Sequence, residues 1–160
     1  MSDIKQTYDI AASPTEVWRA LTDPRTIEKW SGARAVFPLE VGAMYSLWDG
    51  SIGGEIIEIM PKQKLAQTWK PQDWMRVDSV VTFKLTPHGK GTRVDLVHVN
   101  VENTDYDGTS EGWNEYYLGA IQRMFERKSK SANHAKAIKA AKKPAKKKGV
   151  RKKASSRRKS

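Results

Sequence analysis

The 160-residue sequence predicts an α+β fold in which a curved antiparallel sheet packs on one long C-terminal helix, followed by a basic tail. Three observations carry that expectation. From Ala33 to Val101, short apolar runs rich in Val, Ile, Thr and aromatic residues are broken by Gly and Pro, the vocabulary of strands joined by turns. From Trp113 to Phe125, apolar residues recur at helical spacing, which asks for one buried stripe. Charge is also segregated: residues 1–126 hold all 18 acidic residues and 13 of the 29 basic ones, a net of −5, whereas 127–160 hold 16 basic residues and no acidic or aromatic one.

The elements follow in order. Residues 3–11 alternate, with Ile4, Tyr8 and Ile10 on one side and Asp3, Lys5, Thr7 and Asp9 on the other, as in a strand with one buried face. Ser13-Pro14-Thr15-Glu16 combines an N-cap, a proline at the first helical position and a glutamate three residues past the cap, so a short helix carrying Val17, Trp18, Ala20 and Leu21 follows. Asp23-Pro24 repeats the start signal and predicts a second short helix presenting Ile27 and Trp30, which leaves through Ser31-Gly32.

Six further strands are expected at 33–37, 43–48, 53–60, 64–70, 77–86 and 92–101. The surest hairpin is Pro87-His88-Gly89-Lys90-Gly91, with two glycines between clear strands. It places Val77, Ser79, Val81, Phe83 and Leu85 on one face, opposite Val94, Leu96 and His98. Thr109 or Ser110 is a candidate cap for the long helix, whose stripe is Trp113, Tyr116, Tyr117, Ala120, Ile121, Met124 and Phe125. A stripe of that length needs the concave side of the sheet to cover it.

Ser13 through Pro24, Trp30, Gly54 through Pro61, Leu65 with Thr68-Trp69, Gly91-Thr92 with Val94 through His98, and Glu111-Gly112-Trp113 closely resemble, in that order, the Hsp90 ATPase activator homologue 1-like (AHSA1-like) family of the START-like, or SRPBCC, superfamily. The resemblance covers about residues 3–127. It implies a helix-grip (Bet v 1-like) fold, with a cavity between the sheet and the C-terminal helix. The superfamily includes lipid and hormone carriers, cyclases, stress-related proteins and a domain of an Hsp90 co-chaperone, so the fold alone leaves function open.

The chemistry of the residues is sparse. The absence of cysteine removes disulfides, thiolate nucleophiles and Cys-based metal sites. Gly50-Ser51-Ile52-Gly53 has Asp49 where a nucleophile elbow needs glycine, and Gly89-Lys90-Gly91 lacks the third glycine of a dinucleotide loop. His88, His98 and His134 fall in a turn, a strand and the tail, which argues for no metal, and no cofactor is expected. Asp105, Asp107 and Glu111 sit where carboxylates gather at helix N-termini for dipole reasons, so capping is their expected role and acid–base catalysis a remote one.

The cavity candidates are Trp30, Trp48, Trp69, Phe83, His98, Trp113 and Tyr117, which together would suit a small flat apolar ligand. The competing reading is that these aromatic residues are packed core and His98 a buried histidine satisfied by a neighbour, and tight packing is the default for interiors. Three functions stay open: a non-enzymatic binding module, a chaperone cofactor acting through its surface, and a small cyclase- or hydrolase-like enzyme.

The expected division is a domain over 1–127 and a Lys/Arg/Ala-rich tail over 128–160, whose composition cannot build a core and predicts disorder in the free state. Lys142, Lys143, Lys146, Lys147, Lys148, Arg151, Lys152, Lys153, Arg157, Arg158 and Lys159 are the candidate phosphate contacts for nucleic acid. No aromatic interleaves them, so duplex or structured nucleic acid is expected rather than stacked single strands. No leader-like apolar run or membrane span is read, and the expected location is cytoplasmic, with nucleoid or chromatin association through the tail.

Overall fold

The computed structural model describes residues 2–75 and 77–128. Residues 129–160 of the expected tail, with all its candidate phosphate contacts, lie outside the described residues. The sheet belongs to one compact unit, Met1–Phe125.

Strand β1 (Ser2–Ile10) leads into α1 (Pro14–Thr22) and α2 (Pro24–Ser31). The capping box forms as expected: the Glu16 backbone N–H donates to Ser13 Oγ at 3.2 Å and the Ser13 N–H to Glu16 Oε1 at 3.2 Å. Asp23 caps α2 through the Thr26 N–H, and Gly32 ends it in the left-handed region at φ 73°. Val17, Ala20, Leu21 and Ile27 are fully buried.

Five antiparallel strands follow in succession as β2 (Met44–Leu47), β3 (Ile52–Met60), β4 (Lys64–Thr68), β5 (Lys70–Pro71) and β6 (Val80–His88), and β7 (Gly91–Val101) completes the sheet. The seven strands run in the order β1-β7-β6-β4-β3-β2, with β5 beside β3. In the β6–β7 hairpin His88 faces Gly91, so the loop shrinks to Gly89-Lys90, with Gly89 at φ 59°. The predicted inner faces hold, with Ser79, Val81, Phe83, Leu85, Val94, Leu96 and His98 all buried.

Three expectations are corrected. Segment 33–37 makes a single bridge, Val36 with Ser46, and no strand; Pro38 has no N–H to carry the ladder further. β6 begins at Val80, not at residue 77, because β7 turns to φ 60° at Asn100 and the Asn100 side chain donates to the Asp78 carbonyl at 3.0 Å in place of a ladder bond. Val77 is left exposed. The C-terminal helix also starts earlier than Thr109. A 3-10 turn over Asn103–Asp105 leads into α3 (Tyr106–Gly112), and the Ser110 oxygens accept from the Gln6 amide of β1 instead of capping a helix.

Beyond α3 the helix widens into a π turn over Trp113–Tyr117 and resumes as α4 over 118–128. A π turn holds more than four residues per revolution, so the inward positions shift from i, i+3 to i, i+4 and i+5. Trp113, Tyr117 and Leu118 are therefore buried and Tyr116 faces out, whereas the plain 3.6 spacing had placed Tyr116 inward and omitted Leu118. Ile121 and Phe125 complete the buried stripe. The long helix lies in the grip of the curved sheet.

Candidate functional site

Between the β2–β3 end of the sheet and the start of the C-terminal helix lies a cavity of about 520 Å³, within the size range of small-molecule pockets. Its wall is mostly aromatic: Trp48, Trp69, Trp113, Tyr116 and Tyr117, joined by Asp105 at the helix start. The rings touch one another, with centroids 4.7 Å apart for Trp69–Trp113 and 4.6 Å for Trp113–Tyr117. Trp48 reaches the wall from a strained backbone. It sits at φ 50°, beside Asp49 at φ 55°, and a bulky residue there is held by its surroundings. Its ring lies 5.8 Å from Tyr117.

Four of the seven expected cavity residues thus line the space. The other three do not. Trp30 sits behind Tyr117, at 4.6 Å between centroids, with its Nε1–H donated to the Ala20 carbonyl at 2.8 Å. Phe83 is buried beneath Trp113 and Tyr117 at 5.7 Å from each. His98 is buried behind Trp113.

His98 is held at both nitrogens. Trp113 Nε1–H donates to Nδ1 at 3.2 Å, and Nε2 lies 2.6 Å from Ser79 Oγ. An indole is only a donor, so Nδ1 must be the unprotonated nitrogen and Nε2 carries the hydrogen towards Ser79. That tautomer is the reverse of one that takes a serine proton. Burial in this apolar setting pushes the imidazole pKa down to about 3, so it stays neutral. The arrangement describes a satisfied core histidine that positions Trp113.

Asp105 accepts from Trp74 Nε1–H at 2.5 Å, which ties the 72–79 loop to the start of α3. Asp105 stands at the N-cap of α3 but makes no side-chain capping bond, so the capping role expected for it is replaced by this tether. Among the described residues no group of three or more His, Cys, Asp or Glu comes together to hold a metal.

Sequence reasoning missed one feature of the site. Gln67 on β4 is fully buried, as is the Tyr117 hydroxyl, and neither the two amide atoms nor that hydroxyl completes a hydrogen bond. Tyr45 Oη, in the same region, donates to the Thr68 carbonyl at 2.5 Å. Burial raises the pKa of both phenols, and the Gln67 amide lies close enough to temper the rise in each. Each polar group left unpaired in such a place costs about 1–3 kcal/mol.

The topology and the grip of sheet on helix agree with a sequence match. The profile of the family described as "Activator of Hsp90 ATPase homolog 1-like protein" fits residues 11–126. The chain belongs to this family. Among curated relatives, "Activator of 90 kDa heat shock protein ATPase homolog" of Dictyostelium discoideum is 28% identical over 129 residues, covering 79% of this chain and 34% of that protein. The chain spans about a third of the length of the curated relatives it matches. Among solved structures, the Hsp90 activator PFC0360w of Plasmodium falciparum superposes with a TM-score of 0.72 at 29% identity, over 78% of this chain and 96% of that one. Protein MLL2253 of Mesorhizobium loti gives 0.67 at 27%, over 79% and 98%. The Hsp90-activator-like domain therefore accounts for the described sheet and helix. Its match ends before the basic tail.

Proposed function

We propose that this protein is a cofactor of an Hsp90-class chaperone and raises its ATPase rate by binding through an exposed face of the domain. The observation that carries the reading is the match to the solved Plasmodium Hsp90 activator over nearly all of that chain. The apolar strip beside β2 supports it, with Val41 59% and Met44 65% exposed and Val36 and Leu39 about half exposed. Such strips mark interaction surfaces. Adding the full chain to a purified Hsp90-class ATPase is expected to increase turnover. The double substitution Val41→Glu, Met44→Glu should abolish the increase while leaving the melting temperature within about 2 °C, since exposed positions contribute little to stability. An ATPase rate unchanged by saturating wild-type protein would overturn the proposal.

A second reading is favoured by the cavity itself: it holds a small, flat, apolar molecule between Trp48, Trp69, Trp113 and Tyr117. Stacking on several indoles would supply most of the affinity. The two readings are compatible, because the cavity lies inside the grip and the strip on its outer edge. The 16 cationic side chains of 127–160 support a third component, sequence-independent attachment to nucleic acid.

A further inference from the structure

We propose that the cavity takes an organic cation, a flat ring system carrying one delocalised or quaternary positive charge, with the aromatic wall against its rings and the Asp105 carboxylate beside its charge. This rests on the small-molecule reading above and adds the charge of the ligand.

Trp48, Trp69, Trp113, Tyr116 and Tyr117 bring electron-rich rings to one wall, and the face of an indole or a phenol attracts a cation within about 6 Å of its centre. The same rings would hold a neutral flat molecule, so they set the shape of the ligand and leave its charge open. Asp105 decides the charge. It is the one acidic residue of the described wall, and no Lys or Arg is among the described lining residues.

Oδ2 of Asp105 accepts from Trp74 Nε1–H at 2.5 Å, but an indole is a neutral donor and leaves the negative charge uncompensated. Among the described residues no cationic side chain pairs with Asp105. A carboxylate at the edge of an aromatic cavity thus has room for a counter-ion from outside the chain. Asp105 is only half-buried, so a cation beside it keeps some contact with water and escapes the full cost of burying a charge.

The approach to the carboxylate is open. Gly108 and Gly112 of α3 line the same cavity; a Cβ at Gly108 would meet no atom within 4 Å, and one at Gly112 only the Tyr116 ring at 3.9 Å. Glycine weakens a helix relative to alanine, and neither position has the crowding or the left-handed backbone that would require it. The bare turn keeps the space beside Asp105 clear.

The test uses the full chain, labelled with ¹⁵N, titrated separately with 1-methylquinolinium, its neutral isostere 1-methylnaphthalene, and 1-naphthoate. 1-Methylquinolinium should bind about tenfold more tightly than 1-methylnaphthalene and should shift the Trp74 indole N–H resonance. 1-Naphthoate should bind more weakly than either. The full chain carries a net charge of +11, so a general field would favour the anion instead. Asp105→Asn keeps an acceptor for Trp74 and removes the charge; it should erase the preference for the cation and leave 1-methylnaphthalene binding unchanged. Arg76→Gln, two residues from Trp74 in sequence, should leave the affinity for 1-methylquinolinium unchanged. Should Asp105→Asn fail to fold, the wild-type ratio and the Arg76 variant still decide. Equal binding of 1-methylquinolinium and 1-methylnaphthalene by the wild type overturns the cation site while the cavity reading stands. Binding of none of the three overturns both. A preference that survives Asp105→Asn, or a gain of about tenfold for the cation in Arg76→Gln, overturns the assignment of Asp105 as the partner of the charge.

Discussion

His98 is a buried titratable group whose partners leave no room for a second proton: Nδ1 accepts from Trp113 while Nε2 faces Ser79. Burial holds its pKa at about 3 in the folded protein, whereas an unfolded histidine binds the proton near 6.5. Between those values the unfolded state holds more protons, so stability rises with pH. The contribution is complete above pH 6.5 and is lost as pH falls towards 3. One such group gives a slope of about 1.4 kcal/mol per pH unit within the window. Urea unfolding followed from pH 7 to pH 4 should show that limb in the wild type. His98→Gln should lose it, with a lower stability at pH 7 from the broken contacts to Trp113 and Ser79. Parallel pH dependence in both proteins would remove His98 as the source. The inward direction of His98 was legible from strand alternation with Val94 and Leu96. Its partners were not, since Ser79 and Trp113 stand 19 and 15 residues away and meet it only once β6, β7 and the helix are assembled. Gln67 was hidden for a related reason: Leu65, Ala66 and Gln67 are buried in succession, so β4 has no alternation to expose a polar residue on the inner face.

At the scale of elements, the capping box, the β6–β7 hairpin and the existence of a long helix could all be read from local chemistry. The π turn could not. Its one signal was Gly119, a poor helix former placed within a helical run. A Cβ added there would overlap the Asn114 carbonyl, the group brought close by the wider turn. In a regular α-helix Gly119→Ala gains about 1 kcal/mol of propensity; here the steric overlap decides the sign. The substitution should destabilise the domain by about 2 kcal/mol, the usual cost of an overpacked buried site. It should also rotate Trp113 and Tyr117 relative to Trp69, which near-UV circular dichroism reads directly. A higher melting temperature with an unchanged aromatic spectrum would mean that the turn tightens to α-helix without cost, and that the cavity wall does not depend on it.

For the whole molecule, charge along the chain separates the two proposed modes of binding. Residues 1–126 are net anionic and carry the cavity and the apolar strip, whereas 127–160 carry 16 basic residues and no acidic one. Neutralising phosphates with lysine and arginine releases condensed counterions, so affinity falls steeply with salt and is nearly blind to sequence. The full chain should therefore retard duplex DNA of any sequence in a gel shift. If six to ten phosphates are engaged, affinity should drop about 10³–10⁵-fold between 50 and 200 mM salt. A chain ending at residue 127 keeps the anionic domain and loses 15 of those cations, so it should not retard DNA at either salt concentration. The same truncated chain should still bind naphthalene if the cavity reading holds, because every described residue lining the cavity lies between 48 and 117. Retention of DNA binding by the truncated chain would transfer the nucleic-acid contact to the domain, where the net charge opposes it. Loss of naphthalene binding together with DNA binding would instead mean that the two modes are not separable along the chain.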